Sequence, residues 1–426
     1  MERLTGIIGL ILIFGLALLM SNNRKAINLR LVISGFVLQV ALAFFILKVP
    51  VGQIIFQKLG FGIQKILDYS MEGARFCFGF LADKDILSKL VGPGSSLIFV
   101  FTLIPTIIFV CVLVAIGYHI GLLQRIIALV AKAVYYIMNV SGSEALSNVA
   151  STFVGQVEAQ ILIRPYLSGM TMSELLASMS GSMACIAGGV MAVYIAMGVP
   201  APYLLAASLM AAPGALVISK IVFPETIQSE TKGKVKLEVK RIHANLMDAI
   251  SHGASDGMRV SINVIAMLIG VIALVTLVDA ILGWFGHLLS LTHLSLNAIG
   301  LDLTNLRLKD ILGVFFSLFA WAMGVPWHES HTVGALMGTK LVINEFVAYA
   351  DLSPLIASKS LSPKAIIIAS FALCGFANFS SVAIQVGGIG ELAPDRRKDL
   401  AKLGIKAMIC GTLASYISAV LAGMLL

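Results

Sequence analysis

The chain has 426 residues, of which 58% are hydrophobic and 12% charged, with a formal net charge of +8. A soluble globular domain is nearer half apolar and a quarter charged, so low charge with long apolar runs excludes that class and reads as a polytopic membrane protein. No basic cluster is interleaved with aromatics, which excludes a nucleic-acid binder and assigns the positive charge to loops on the cytoplasmic side.

The opening stretch MERLTGIIGLILIFGLALLMSNNRKAINLR carries Arg24, Lys25 and Arg30 after its apolar run and has no small-x-small cleavage site. It reads as a retained first helix with its N-terminus outside. Residues 4–20 and 31–49 read as spanning helices. Over residues 51–89, Gln53, Gln57, Lys58 and Lys65 recur among apolar residues at helical spacing, the pattern of a helix lying in the interface. The next span contains Pro105, an expected kink. Residues 141–169 open with a capping box, Ser141 to Glu144, break near Gly155 and end at Pro165 and Gly169. Each half is shorter than the ~20 residues a spanning helix requires, so the segment reads as a re-entrant hairpin with its tip near residues 154–158.

A second capping box, Thr171 to Glu174, opens a helix whose centre, residues 185–189, is poor in helix formers. A span follows at 201–222, then a polar loop, a span at 259–286 and an interfacial stretch rich in His, Leu and Asn. A second hairpin-like segment covers about 311–340, with its break at 324–329. Ser362 as N-cap and Pro363 at the first helical position open a helix that runs into CGFANFSSVAIQVGGIG, again weak at its centre. A last span covers 404–426.

Five regions follow. Residues 1–95 hold N-terminal scaffold helices and an interfacial helix, and 96–140 a scaffold helix and connector. Residues 141–222 form a first repeat of hairpin, broken helix and span. Residues 223–310 hold the polar loop, a long scaffold helix and the interfacial stretch, and 311–426 form the second repeat. The expected fold is all-α and polytopic, with about eight transmembrane helices, two re-entrant hairpins and interfacial helices arranged as an inverted repeat, the architecture of secondary transporters. Basic residues at 24–30, Arg125, Lys132, 232–241 and 396–398 fall on the inside of this topology, whereas the turn at 198–203 has no charge.

Polar groups at apparent membrane depth need a reason. They are Gln156 and Glu158 at the first hairpin tip, Glu329 with His328 and His331 at the second, and Asn378, Ser380 and Ser381 in the second broken helix. A charged group there costs roughly 2.5–3.5 kcal/mol on insertion scales. It persists when it pairs internally (Glu158 with Arg164, Glu329 with His328) or when it holds a ligand. No arginine clamp stands at either tip, which argues against phosphate or carboxylate ligands. Carboxylates and amides favour a neutral ligand rich in hydroxyl or amide groups, such as a sugar or nucleoside. HESH is not a zincin helix: its histidines are three apart where HExxH needs four, and no further cluster supplies a third ligand. An intramembrane hydrolase using Glu329 is thus the lesser reading, and no metal site is expected. The remaining histidines read as interfacial or loop residues, and the five cysteines, none in a CxxC, as buried small hydrophobes.

VGQVEA, GVPWHES, KLVINEFVAYADL and CGFANFSS, with SNNRKAINLR after the first helix, resemble the signature segments of the concentrative nucleoside transporters over nearly the whole chain. The resemblance implies a homotrimer of elevator-type protomers in the bacterial inner membrane, with no cofactor beyond a coupling ion, H+ or Na+. It implies that Gln156 and Glu158 contact the nucleobase with Val190 nearby, that Glu329, Asn378 and Ser381 hold the ribose hydroxyls, and that Phe376 packs beside the ligand. The positions matching the family's sodium site are Ser151, Val154, Cys185 and Ile186. A thiol is a poor ligand for a hard cation, so proton coupling through Glu158, Glu329 or His328 is expected, with sodium coupling or another neutral solute as the alternatives. Val157 stands where sodium-coupled members usually carry a hydroxyl, which leaves base preference open.

Overall fold

The computed structural model describes residues 2–91, 98–232, 244–290 and 303–426. Most of the basic run at 232–241, together with His243 and His293, lies outside them. Every regular element among the described residues is helical, as lipid demands of a chain that must satisfy its own backbone. The N-terminal part comprises α1 (Glu2–Leu19), α2 (Leu29–Leu47), α3 (Pro50–Phe78), α4 (Lys84–Val91), α5 (Phe99–His119) and α6 (Leu122–Met138). Asn28 caps α2 by accepting from the Leu31 N–H, and Pro50 starts α3, which fills the region expected to be interfacial. Helices α5 and α6 meet at a 75° bend.

The first repeat is α7 (Gly142–Ala150), α8 (Glu158–Ile161), a 3-10 turn at Arg164–Gly169, α9 (Met172–Ala184), α10 (Gly188–Ala196) and α11 (Ala201–Val222). Both expected capping boxes form, Ser141 with Glu144 and Thr171 with Glu174, and the expected break falls between Ala184 and Gly188. A helix of 45 residues, α12 (Leu246–Ser290), connects to the second repeat. That repeat is α13 (Leu308–Ala322), α14 (Trp327–Val342), α15 (Glu345–Ala357), α16 (Pro363–Leu373), α17 (Phe379–Leu392) and α18 (Arg397–Leu425).

Around the second hairpin the sequence pattern predicts one turn, and the structure has two. Between α13 and α14 the chain bends by 118°, where the break was expected. A second break, at Ile343 and Asn344, separates α14 from α15, and the Asn344 side chain caps α15 by accepting from the Val347 N–H at 2.9 Å. No glycine or proline marks this second turn, and the apolar residues around it hide it in the sequence.

Among the described residues, five helices are long and apolar enough to cross a membrane, or up to seven if each bent pair counts as one span, with α1 and α16 as shorter apolar helices. Buried within the chain are 89% of the apolar stretch of α11 and 83% of the last span, but none of that of α12, so α11 and α18 form the core and α12 lies outermost. The long helix α18 packs against α9, α11, α16 and α17, and thereby joins the two repeats.

Polar rows tie each hairpin arm to its broken helix. In the first repeat Ser143 bonds Glu174, Ser147 bonds Ser178 and Ser151 bonds Ser182, each pair 31 residues apart, so α7 and α9 run side by side in one direction. Gln160 on the returning arm closes the row, donating to Ser182 and accepting from Ser178. Small residues and hydroxyls are the usual means of joining helices where no hydrophobic force acts between them. At the base, the Lys220 ammonium lies 2.7 Å from Glu144 and donates to Ser173, pinning α11 to both capping boxes.

The two helix breaks cross each other. The Phe376 N–H donates to the Cys185 carbonyl at 3.3 Å, and the Ser415 hydroxyl on α18 reaches the carbonyls of Cys374 at 2.7 Å and Ala184 at 3.4 Å. Gly375 permits the approach: its φ is 127°, and a Cβ there would lie 2.6 Å from the Ala184 oxygen. Gly375→Ala should therefore lower the thermal unfolding midpoint of the purified protein, with a backbone penalty of about 1–3 kcal/mol before any clash is relieved. An unchanged midpoint would contradict the crossing as described.

Candidate functional site

The first hairpin tip, the break between α16 and α17 and the turn before α15 converge. Gln156, half-buried at the tip, donates to the Ser381 hydroxyl at 3.3 Å and accepts from Gln385 at 3.3 Å. Ser381 stands in the first turn of α17, whose N-cap is Asn378; the Asn378 side-chain oxygen accepts from the Ser381 N–H at 2.8 Å and from the Ser380 hydroxyl at 2.7 Å. The Asn378 amide then donates to the Glu345 carboxylate at 3.0 Å. The other oxygen of Glu345 accepts from the Tyr194 hydroxyl of α10 at 3.0 Å. Tyr194 in turn stacks on Tyr349, with ring centroids 4.3 Å apart. Side chains from both repeats thus form one continuous polar chain.

Of the residues expected at the site, Gln156, Asn378 and Ser381 belong to this chain. Phe376 is half-buried at the crossing of the two breaks, and Val190 is half-buried in the first turn of α10. Glu158 is exposed at the start of α8, and its carboxylate has no hydrogen bond among the described residues. Glu329 is placed differently. It is buried in the first turn of α14, and its two oxygens accept from the backbone N–H and the hydroxyl of Ser362, both at 2.7 Å. It therefore supports the N-terminus of α16, at the base of a hairpin that α14 and α15 form about the turn at Ile343 and Asn344, and does not join the polar chain; the tip expected at 324–329 is instead the start of that hairpin. His328 is exposed, while His331 is half-buried against Gly313.

The four positions matched to a cation site lie just after α7 and in the break between α9 and α10, segments joined where Thr152 meets Cys185 and the Gly188 N–H meets the Phe153 carbonyl. The Ser151 hydroxyl donates to the Ser147 carbonyl at 2.7 Å and is shared with Ser182. The Cys185 thiol is directed at the Ser208 carbonyl at 3.7 Å and lies 3.6 Å from the Thr152 hydroxyl. Val154 and Ile186 are buried and contribute only backbone polar groups. A separate cavity of about 360 Å³ between α12 and the second hairpin, lined by Asp279, Arg307, Lys309 and Asp351 among others, contains none of the expected site residues.

Sequence reasoning missed three residues here: Glu345, Tyr194 and Lys340. A signal for two of them stands in KLVINEFVAYADL, where a lysine and a glutamate flank an asparagine cap inside an apolar run. Tyr194 has no local signal, because its hydroxyl partner is 151 residues away.

Three family descriptions match the chain: "Na+ dependent nucleoside transporter N-terminus" over residues 8–81, "Nucleoside recognition" over 100–201, and "Na+ dependent nucleoside transporter C-terminus" over 203–423. The chain is 40% identical to "Uncharacterized transporter YutK" of Bacillus subtilis, over 100% of both chains. It is 37% identical to "Nucleoside permease NupC" of Helicobacter pylori, over 99% of this chain and 98% of that one. Its fold superimposes on a structure of CNTnw in an inward-facing substrate-bound state with a TM-score of 0.92 at 39% identity, covering 100% of this chain and 98% of that one.

The placement of Glu329 has a measurable consequence. Ser362→Ala removes both a helix cap and a donor to Glu329, and should cost about 0.5–2 kcal/mol of stability. Thermal unfolding of the purified variant should report this loss, and a wild-type midpoint would contradict the capping role.

Proposed function

Because the chain belongs to the concentrative nucleoside transporter family, we propose that it is a symporter importing nucleosides across the cytoplasmic membrane, with the proton as coupling ion. The observation that carries this reading is the polar chain from Gln156 through Ser381 and Asn378 to Glu345, which joins both repeats without any arginine. Amides and carboxylates suit a neutral ligand with many donors, and the helix ends beside them add free backbone groups. Gln156 and the exposed Glu158 contact the base, with Val190 and Phe376 packing against the ligand. Asn378, Ser381 and Glu345 hold the ribose hydroxyls. Glu345 takes the role that the resemblance assigns to Glu329, because Glu345 bonds Asn378 within the polar chain whereas Glu329 bonds Ser362 outside it. Protomers of this kind assemble as trimers, with the N-terminus outside and the basic loops in the cytoplasm.

Proton coupling follows from the ligands at the cation position. A hard cation prefers oxygen, and here a thiol stands among buried aliphatic side chains. Glu158, exposed in the first repeat, is the carboxylate at the site able to take up the proton instead. Sodium is the second reading, favoured by the "Na+ dependent" family descriptions that cover the chain.

Proteoliposomes separate the two readings. An inward proton gradient should drive accumulation of labelled uridine without sodium; accumulation that needs a sodium gradient and ignores the proton gradient would overturn proton coupling. Glu345→Ala should lower uptake at least tenfold, since each hydrogen bond to a charged group is worth about 1.5–3 kcal/mol and a factor of ten is 1.4 kcal/mol. Glu329→Ala should retain uptake in the protein that folds. The opposite ranking of these two variants would return the ribose site to Glu329.

A further inference from the structure

Lys340 is fully buried near the end of α14, in the arm that leads to Glu345. Its ammonium donates to the Ala372 carbonyl at 3.0 Å and lies 6.0 Å from the centre of the Tyr416 ring. Ala372 stands in the last turn of α16, where carbonyls lose their helical partners and the helix dipole concentrates negative charge. Glu345 adds a second negative group that attracts the same ammonium. A buried lysine is costly unless compensated, and here the compensation is one helix end and one carboxylate.

The two repeats make this position informative. In the second repeat Glu329 meets Ser362, Lys340 meets Ala372 and Glu345 meets Asn378, at separations of 33, 32 and 33 residues. This is the same side-by-side arrangement that the serine row gives α7 and α9, at 31. Lys340 therefore occupies, in the second repeat, the place where Ser151 and Thr152 face the last turn of α9 in the first. There the groups are neutral hydroxyls, and the carbonyls of Ala184 and Cys185 are met by Ser415 and the Phe376 N–H. Among the described residues, no cationic side chain bonds to that break.

We propose that Lys340 is a positioning residue whose tethered ammonium serves as the built-in cation of the second repeat, fixing the break between α16 and α17 and balancing the charge of Glu345. The second half of the ligand site is then formed whether or not a coupling ion is bound, and any exchangeable cation acts on the first repeat alone. This rests on the reading that Glu345 receives ligand hydroxyls.

The test uses purified full-length protein in detergent, with equilibrium binding of labelled uridine, thermal unfolding and hydrogen exchange. Lys340→Met keeps the length of the side chain and removes its charge. It should remain folded, bind uridine at least tenfold more weakly, and exchange faster at residues 374–378 but not at 185–189. Lys340→Ala should show the same loss, with ethylammonium restoring at least threefold in affinity and the neutral analogue propane-saturated buffer restoring none. Wild-type affinity and exchange in Lys340→Met, failure of that variant to fold, or absence of ethylammonium rescue would each overturn the proposal. If the wild-type protein binds no uridine, the nucleoside reading fails, and the exchange contrast between the two breaks still decides the role of Lys340.

Discussion

A helix that stops in the middle of a membrane leaves N–H and carbonyl groups with no water to receive them, and each unsatisfied group costs several kcal/mol. Among the described residues, the breaks between α9 and α10 and between α16 and α17 are interruptions of this kind, and the chain meets the cost by laying one across the other. The Phe376 N–H takes the Cys185 carbonyl, and a single hydroxyl, Ser415, serves carbonyls from both breaks. The crossing demands a glycine at 375 and a polar residue on α18 facing it. Once the breaks are fixed against each other, α10 and the first turn of α17 are fixed too, and with them Tyr194, Asn378 and Ser381. The candidate site is built directly on the crossing that makes the interruption tolerable.

The two repeats solve the remaining problem, holding short hairpin arms at depth, with different chemistry. The first uses hydroxyls and amides in a row, anchored at its base by the ion pair between Lys220 and Glu144. The second is anchored at its base by Glu329 on Ser362, and the cation lies near its tip, at Lys340. Each carries an acidic residue in the first turn of its leading arm and another at or beyond the tip. The glutamate nearer the base bonds a helix N-terminus in both: Glu144 accepts from the Ser141 N–H and pairs with Lys220, and Glu329 accepts from Ser362.

That distinction explains what could be read from the sequence. Capping boxes, the Ser362 cap with its proline, and the weak centres of α9–α10 and α16–α17 are local signals, and the structure has each of them where the pattern predicts. Asn378 and Ser381 were legible because a cap and a polar pair inside an apolar helix are unusual. Glu329 and Glu345 could not be ranked locally. Both are glutamates in the first turn of a helix, and GVPWHES advertises its break with glycine and proline, whereas the turn at Ile343 and Asn344 has neither and sits among apolar residues. Only the partners separate them, Ser362 in one case and Asn378 with Tyr194 in the other, and those partners lie 33 residues or more away in sequence.

The serine row also limits how the molecule can move. Swinging the first hairpin away from α9 would leave Ser147, Ser178 and Gln160 without their partners, at about 1–3 kcal/mol for each buried group left without its bond. No flap can open there at thermal cost. Hairpin and helix are obliged to travel together, as a drawer slides in its frame, and the sliding surface has to be sought where α7 and α9 are not stitched.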